Sequence, residues 1–216
     1  MTQPVVTQPA VTQPAVTDSK AKIRVQALTG PDLKSALPAL AHLRITVFRD
    51  FPYLYDGTVA YEEEYLAKFA AGRGAVCIAA FDGDTIVGAS TAAPMAEHAS
   101  EFGAPYAAKG YDISKLFYCS ESVLLKSHRG HGLGHAFFDQ REAHARKLGG
   151  FTHTTFSSVI RPLDHPLRPP NYQPLDAFWT KRGYAKADGI IGSYTWKDID
   201  QPMETAKQMQ FWIKAL

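Results

Sequence analysis

Apolar and polar residues alternate with two different periods along the chain, and together these predict a mixed α/β fold. A period of two predicts strands in KIRVQAL, in AVCIAAF and TIVGAST on either side of an Asp82-Gly83-Asp84 turn, and in KLFYCSESVLL. Apolar residues spaced three or four apart predict a helix that opens at Pro31 and a second, shorter one in AYEEEYLAKFAAG.

The second half of the chain continues in the same way. A long helix is expected from Leu133 to Leu148, followed by a strand in FTHTTFSSVI, a loop with five prolines in RPLDHPLRPPNYQP and a short helix in LDAFWTKRGY. GIIGSYTWKDI predicts another strand, and KQMQFWIKA fits either a strand or a helix. We favour a strand because Met209, Phe211 and Ile213 alternate. The predicted class is therefore α/β, with a mixed sheet of about seven strands and about four helices.

Composition limits the number of domains and the classes of partner. Residues 1–20 contain a five-residue repeat with proline at positions 4, 9 and 14, which predicts a disordered tail before a single domain over 21–216. The net charge of +2 gives no field for binding nucleic acid or an anionic membrane. The chain also lacks a run of 18 apolar residues and a basic, then apolar N-terminus, so we expect a cytoplasmic protein.

The segment SHRGHGLGH carries the strongest chemical signal. Three glycines, Gly130, Gly132 and Gly134, stand between a strand and the start of a helix, where free amides and the helix dipole favour a phosphate. The alternative is a tight turn that uses glycine for positive φ. Neither G-x4-G-K-[ST] nor G-x-G-x-x-G is present. A metal site at His128, His131 and His135 is a weaker alternative, because the first two lie in the loop, and we expect no metal.

Arg129, Gly132 and Gly134 fit R-x-x-G-x-G/A, which resembles the acyl-CoA pyrophosphate loop of the GNAT superfamily of N-acetyltransferases. Other segments support this resemblance: SESVLL before the loop, FDGDTIVGAST as second and third strands, and AFWTKRGY, which ends in Gly183-Tyr184. The order of elements from about residue 21 to 216 is also similar to that of the family.

The resemblance implies acetyl-CoA as co-substrate and a sheet that splays between its fourth and fifth strands. The pantetheine arm would lie in that gap, and the amide of Leu124 would polarise the thioester carbonyl. Arg129 would add charge or fix the loop. The other implied cofactor contacts are the backbone groups of the strand, the loop amides and one asparagine: Ser122, Val123, Leu124, Gly130, His131, Gly132, Leu133, Gly134, His135 and Asn171.

Direct transfer of an acetyl group to an amine needs a base, because an alkylammonium has a pKa of about 10.4. Glu121 is our candidate, and a salt-bridged structural glutamate is the alternative. Strand alternation places Cys119, Glu121 and Val123 on one face unless a bulge shifts the register. Tyr172 is the candidate acid, since Trp179 stands where many relatives have tyrosine; Tyr118 and Tyr184 are weaker candidates.

The acceptor pocket is expected in RDFPYLYDG, where Tyr53, Tyr55 and Asp56 offer aromatic walls and a carboxylate, or simply pack as a loop. The expected partner is a small-molecule or peptide primary amine, with a homodimer as an option. The alternative function is a non-catalytic acyl-CoA-binding or regulatory module on the same fold.

Overall fold

One seven-stranded sheet organises the molecule, with the strands in the order β1-β2-β3-β4-β5-β7-β6. The computed structural model describes residues 23–98 and 102–216, so the predicted tail of residues 1–20 lies outside the described residues. The strands are β1 Arg24–Leu28, β2 Val76–Asp82, β3 Thr85–Pro94, β4 Leu116–Leu124, β5 His153–Val159, β6 Ala185–Lys197 and β7 Glu204–Ala215. The predicted strand count is confirmed, and the last segment is a strand.

Helices cover both faces of this sheet. They are α1 Gly30–Phe48, α2 Val59–Ala71, the single turn α3 Ala104–Ala107, α4 Leu133–Leu148 and α5 Asp176–Lys181. Pro31 lies in the first turn of α1, where its missing N–H costs nothing, and the Thr58 hydroxyl accepts the Tyr61 amide at the start of α2. No helix in the described ranges is long and apolar enough to cross a membrane.

Alternate residues of the central strands feed two separate hydrophobic cores. Cys77, Ala79 and Val123 pack under α1 and α2, whereas Ile78 and Ala80 pack under α4. Both faces of the strands are therefore buried, which explains why AVCIAAF is apolar throughout.

The fourth and fifth strands separate after a short paired stretch. They are parallel and pair at Leu116, Phe117 and Tyr118 of β4, opposite residues 153–155 of β5. Just beyond, the Tyr118 hydroxyl lies 3.1 Å from Ser157 Oγ, which spans the start of the gap. The predicted splay is thus confirmed, and it leaves the last six residues of β4 with an open edge toward β5.

A bulge at Ser120 changes which way the side chains of β4 point. Glu121 pairs with Thr91 of β3, but Cys119 pairs with Ala92, so Ser120 is the extra residue. Cys119 consequently packs in the core under α4, while Glu121 and Val123 face α1. The bulge that the sequence left open is therefore present, and it takes Cys119 off the face of Glu121, because one extra residue inverts a period of two.

Candidate active site

The glycine loop before α4 adopts a conformation that only glycine takes easily. Gly130 has φ 82° and Gly132 has φ 76°, and nothing lies within 4 Å of where a Cβ would stand at either position. At Gly134 a Cβ would meet the Phe178 ring at 3.4 Å, an ordinary contact. The backbone conformation at positions 130 and 132 therefore favours glycine, and the space above these two residues is open.

This open surface carries hydrogen-bond donors. The His135 amide donates to the Gly132 carbonyl at 3.0 Å, while the amides of Leu133 and Gly134, at the first two helical positions, have no carbonyl within the helix to reach. The positive end of the α4 dipole lies at the same point. Such an arrangement suits an anion such as a phosphate.

Side chains around the loop fix its position against β4. Arg129 Nε donates to the Leu124 carbonyl at 3.2 Å, which ties the loop to the end of the strand. His128 Nε2 lies 3.2 Å from Asp82, His131 Nδ1 lies 3.3 Å from the His128 carbonyl, and His135 Nδ1 lies 3.3 Å from Arg182. The three histidines thus have separate partners. Within residues 23–98 and 102–216, no cluster of His, Cys, Asp and Glu is placed to hold a metal ion.

The open edge of β4 presents main-chain groups to the gap. The Leu125 amide donates to the Val87 carbonyl of β3 at 3.0 Å, so the carbonyl of Leu124, in the same peptide, points the other way. Because successive residues of a strand point to opposite edges, Ser122 and Leu124 face the gap and Val123 faces β3. Two amides two residues apart are therefore available to a ligand lying between β4 and β5.

Glu121 lies on the α1 side of this strand, in a buried cluster of charges. Its Oε2 is 2.6 Å from Arg44 Nη1, and Arg44 Nε is 2.5 Å from Glu62 Oε2. Glu121 is 8% exposed and Glu62 is 0% exposed. Burial lowers the pKa of Arg44, but the charges of Glu121 and Glu62 outweigh burial and raise it overall. Two carboxylates thus share one guanidinium, for a net charge of −1.

Several polar atoms near this cluster are buried without a hydrogen-bond partner among the described residues. They are Glu62 Oε1, Thr91 Oγ1, His98 Nε2 and Glu121 Oε1. Burial lowers the pKa of His98, even though Glu97 and Glu121 act to raise it. Burying polar atoms without a hydrogen-bond partner is costly.

Arg44, Glu62 and His98 were missed in the sequence, although two of them left a signal. Arg44 follows Leu40 by four residues, so it interrupts the apolar stripe of α1. Glu62 precedes Leu66 by four residues and is buried with it on one side of α2. A charge on each of two apolar stripes indicates a buried ion pair, because neither charge could be buried alone.

The predicted acceptor residues lie in the loop between α1 and α2. Burial, Tyr172 and Glu121 raise the pKa of Tyr53 to about 12. Burial and Glu62 raise the pKa of Tyr55. Asp56 differs, because its Oδ2 binds Lys197 at 2.9 Å and its Oδ1 binds Arg49 at 3.0 Å, and these cations lower its pKa. Both Asp56 oxygens are already engaged.

Tyr172 approaches this loop from the proline-rich segment. Its ring meets Phe51 edge to face at a centroid distance of 4.7 Å, and burial raises the pKa of its phenol. Asn171, beside it, is exposed. Trp179 packs edge to face against Phe156 at 5.0 Å, as part of an aromatic core. The structure thus brings Tyr172 to the acceptor loop at Phe51 and keeps Trp179 in an apolar role.

Comparison with known proteins finds matches in three-dimensional structure but none in sequence. No family sequence model and no curated protein matches the chain. Among solved structures, NAA60 of Arabidopsis thaliana in complex with acetyl-CoA matches with a TM-score of 0.58 and 14% identity, over 90% of this chain and 99% of that one. The ribosomal-protein-alanine N-acetyltransferase of Brucella melitensis matches with a TM-score of 0.56 and 12% identity, over 89% and 99%.

A third solved structure carries the name of the family that the glycine loop resembles. The acetyltransferase of the GNAT family from Streptococcus pneumoniae matches with a TM-score of 0.53 and 13% identity, over 90% of this chain and 99% of that one. These matches span about nine tenths of this chain and nearly the whole of each neighbour. The chain therefore has the fold of the GNAT-family acetyltransferases.

Proposed function

We propose that this protein is an N-acetyltransferase that moves the acetyl group of acetyl-CoA to a primary amine. The observation that carries the proposal is the open edge of β4, which leads from two main-chain amides that face the gap directly to the glycine loop. A long, thin ligand with a phosphate at one end fits such an edge. Two fold neighbours are named as N-acetyltransferase or solved with acetyl-CoA, and they support the same choice.

Acetyl-CoA would lie along β4 with its pyrophosphate over the glycine loop. The amides of Leu133 and Gly134 would receive the phosphates, and Gly130, His131, Gly132 and His135 would form the surface beneath them. The pantetheine arm would bond to Ser122 and Leu124 across the gap, with Asn171 at its side. Arg129 already holds the Leu124 carbonyl, which favours a role in fixing the loop.

The reaction would be direct attack of a neutral amine on the thioester carbon. A C–N bond forms, the C–S bond breaks as the tetrahedral intermediate collapses, and the CoA thiolate leaves. The ammonium must lose one proton before the attack, and Glu121 Oε1 would accept it, directly or through one water. The nitrogen loses a second proton as the intermediate collapses to the amide, and this proton replaces the one that the thiolate takes up. Oε1 is the candidate atom because Oε2 is held by Arg44, while Oε1 has no partner among the described residues.

Tyr172 would return a proton to the leaving thiolate. Its raised pKa keeps the phenol protonated at neutral pH, and its ring stands against Phe51 at the acceptor loop. Tyr53, with a pKa of about 12, also stays neutral. The acid role thus falls to a protonated phenol that lies close to the acceptor loop.

The acceptor would arrive as an ammonium ion beside aromatic rings. Tyr53 and Tyr55 would form the walls of the pocket. The compensating negative charge comes from the buried Glu62 and Glu121, whose cluster carries a net −1, and less from Asp56, whose oxygens bind Arg49 and Lys197. A primary amine, free or at the end of a peptide, has the charge and size that this arrangement favours.

A non-catalytic acyl-CoA-binding module is the second candidate, and one observation favours it. Glu121 is ion-paired with Arg44, as expected of a glutamate that only ties β4 to α1. Such a protein would keep the glycine loop and bind acetyl-CoA, but it would release no thiol.

One experiment separates the two candidates. Purified protein is incubated with acetyl-CoA and a panel of amines that includes polyamines, amino acids and peptides, and free thiol and acetylated product are both measured. Binding of acetyl-CoA is followed in parallel by thermal shift. The proposal expects binding and amine-dependent thiol release. Binding with no acetylated product across the panel would favour the non-catalytic module, and absence of binding would overturn both.

A further inference from the structure

Arg141, near the middle of α4, is a buried cation. The residue is 2% exposed, and among the described residues it forms no ion pair with a carboxylate. The guanidinium lies over the Phe138 ring at 4.7 Å, and its Nε has no hydrogen-bond partner among the described residues. Burying a charge in this way is costly, so a specific role is expected.

The contact that Arg141 does make is with the main chain of the bulge. Its Nη1 donates to the Glu121 carbonyl at 3.1 Å, and Ser90 Oγ donates to the same oxygen at 3.0 Å. This carbonyl belongs to the peptide between Glu121 and Ser122, immediately after the extra residue Ser120. Arg141 therefore fixes the main chain at the point where β4 leaves regular pairing.

The same peptide ends in an N–H that faces the gap. Among the described residues the one cis peptide bond is Phe51–Pro52, so the Glu121–Ser122 bond is trans. In a planar trans peptide the C=O and N–H point in opposite directions. The Glu121 carbonyl points to Ser90 of β3 and to Arg141, so the Ser122 N–H points to the open edge where a thioester would lie.

A cation on the carbonyl oxygen strengthens the opposite end of the peptide. It draws electron density toward the oxygen and makes the N–H a better donor, an effect that grows in a buried site of low dielectric. A donor that is already aimed at the place where negative charge develops lowers the barrier of acyl transfer.

We propose that Arg141 is a positioning residue: its cation on the Glu121 carbonyl strengthens the Ser122 N–H, in the same peptide, as a donor to bound acetyl-CoA. This inference rests on the proposed acetyl transfer.

The test is the infrared carbonyl stretch of bound acetyl-CoA that carries carbon-13 in its thioester carbonyl. The wild-type protein is expected to shift this band to lower frequency than free acetyl-CoA. Arg141→Met should move the band back toward the free value and lower turnover about 10- to 100-fold, less than the loss of a whole oxyanion donor, about 10²–10³-fold. Affinity for acetyl-CoA should change little, and Arg141→Lys should restore part of the band shift.

Arg146→Met provides the matched control. Arg146 lies on the same helix, but its side chain is 53% exposed and it pairs with Glu142 at 3.7 Å. Acetyl-CoA bound to Arg146→Met should show the same carbonyl band as acetyl-CoA bound to the wild type. If Arg141→Met fails to fold, Arg141→Gln takes its place, because glutamine can donate to the same carbonyl without charge.

The outcomes separate this inference from the proposed function. An unchanged band in a folded, acetyl-CoA-binding Arg141→Met or Arg141→Gln variant overturns the role of Arg141 and leaves acetyl transfer standing. A wild-type protein that binds no acetyl-CoA overturns both.

Discussion

Two buried arginines hold Glu121 from opposite faces of the sheet, and they do so in different ways. Arg44 of α1 binds its carboxylate and is compensated by a second one on Glu62. Arg141 of α4 binds its carbonyl oxygen and has no carboxylate partner among the described residues. The charge of Arg44 is compensated by the carboxylates around it, whereas the charge of Arg141 acts on a single main-chain carbonyl.

Because their partners differ, Arg44 and Arg141 are expected to serve different purposes, the first stability and the second catalysis. An arginine between two carboxylates mainly makes it tolerable to bury those carboxylates, and its removal should affect folding. An arginine without a carboxylate partner adds less to folding, so Arg141 is expected to affect turnover more than stability.

The largest change in turnover is expected from a substitution of Glu121. In Glu121→Gln the side chain keeps its shape and can still accept from Arg44, but it cannot take the proton of the amine. Turnover should fall about 10²–10⁴-fold at neutral pH with acetyl-CoA affinity little changed, and part of the loss should return at alkaline pH, where more amine is neutral. Initial rates from pH 6 to 9 measure this.

Glu63→Gln, on the exposed side of α2, controls for the loss of a nearby charge. Glu121→Gln turning over at the wild-type rate across the whole pH range would show that Glu121 is only structural.

Arg44→Met should mainly lower stability. It leaves Glu62 and Glu121 buried without their cation, which should cost about 3–5 kcal/mol of unfolding free energy. Arg141→Met should cost less than half of that, because no carboxylate loses a partner. Urea unfolding of both variants measures the difference. An equal or larger loss for Arg141→Met would contradict the distinction between the two arginines.

The ion pair of Arg161 with Asp198 serves as a reference outside β4. The Arg161 side chain is 8% exposed and also donates to two main-chain carbonyls of the acceptor loop. Asp198 pairs with Arg161 at 2.6 Å and Lys207 at 3.2 Å, and these cations hold its pKa below the usual range although burial opposes them. Asp198→Asn should lower the unfolding free energy by about 2–4 kcal/mol, somewhat less than Arg44→Met, because asparagine still accepts a hydrogen bond.

The loss of unfolding free energy in Asp198→Asn should depend on pH, and the depressed pKa of Asp198 sets the direction. A depressed pKa stabilises the fold above the unfolded value of about 3.9 and ceases to do so as pH falls through the folded value. The difference between wild type and Asp198→Asn should be constant from pH 5 to 8 and shrink below about pH 4. A difference that grows toward acid would show that the Asp198 carboxylate does not stabilise the fold.

Much of the fold could be predicted because local pattern and packing agree. Continuous apolar strands, amphipathic helices and the glycine loop each reflect one local requirement. The bulge at Ser120 could not be located, because no residue type demands it and its effect is a shift in pairing with β3. The charge clusters were missed for a related reason: Arg44, Glu62 and Glu121 meet only when α1, α2 and β4 pack together.

Removal of the N-terminal tail is expected to change stability and acetyl-CoA binding least. A chain that starts at Asp18 lacks the repeats, which offer no apolar face to bury. Its unfolding free energy should stay within about 0.5 kcal/mol of the full chain, and acetyl-CoA binding should be unchanged. A loss of several kcal/mol, or of all binding, would give the repeats a role in the folded domain.

The most direct test of the central claim is acetyl-CoA binding by Gly132→Val, measured by thermal shift and titration calorimetry. A valine there would point into the open space that the pyrophosphate should occupy. Gly110→Val is the matched control, because Gly110 also has positive φ, 80° against 76°, and open space around its Cβ position. Both variants should lose similar stability, but only Gly132→Val should lose the acetyl-CoA shift. An undiminished shift in a folded Gly132→Val protein would contradict the assignment of this loop to acetyl-CoA.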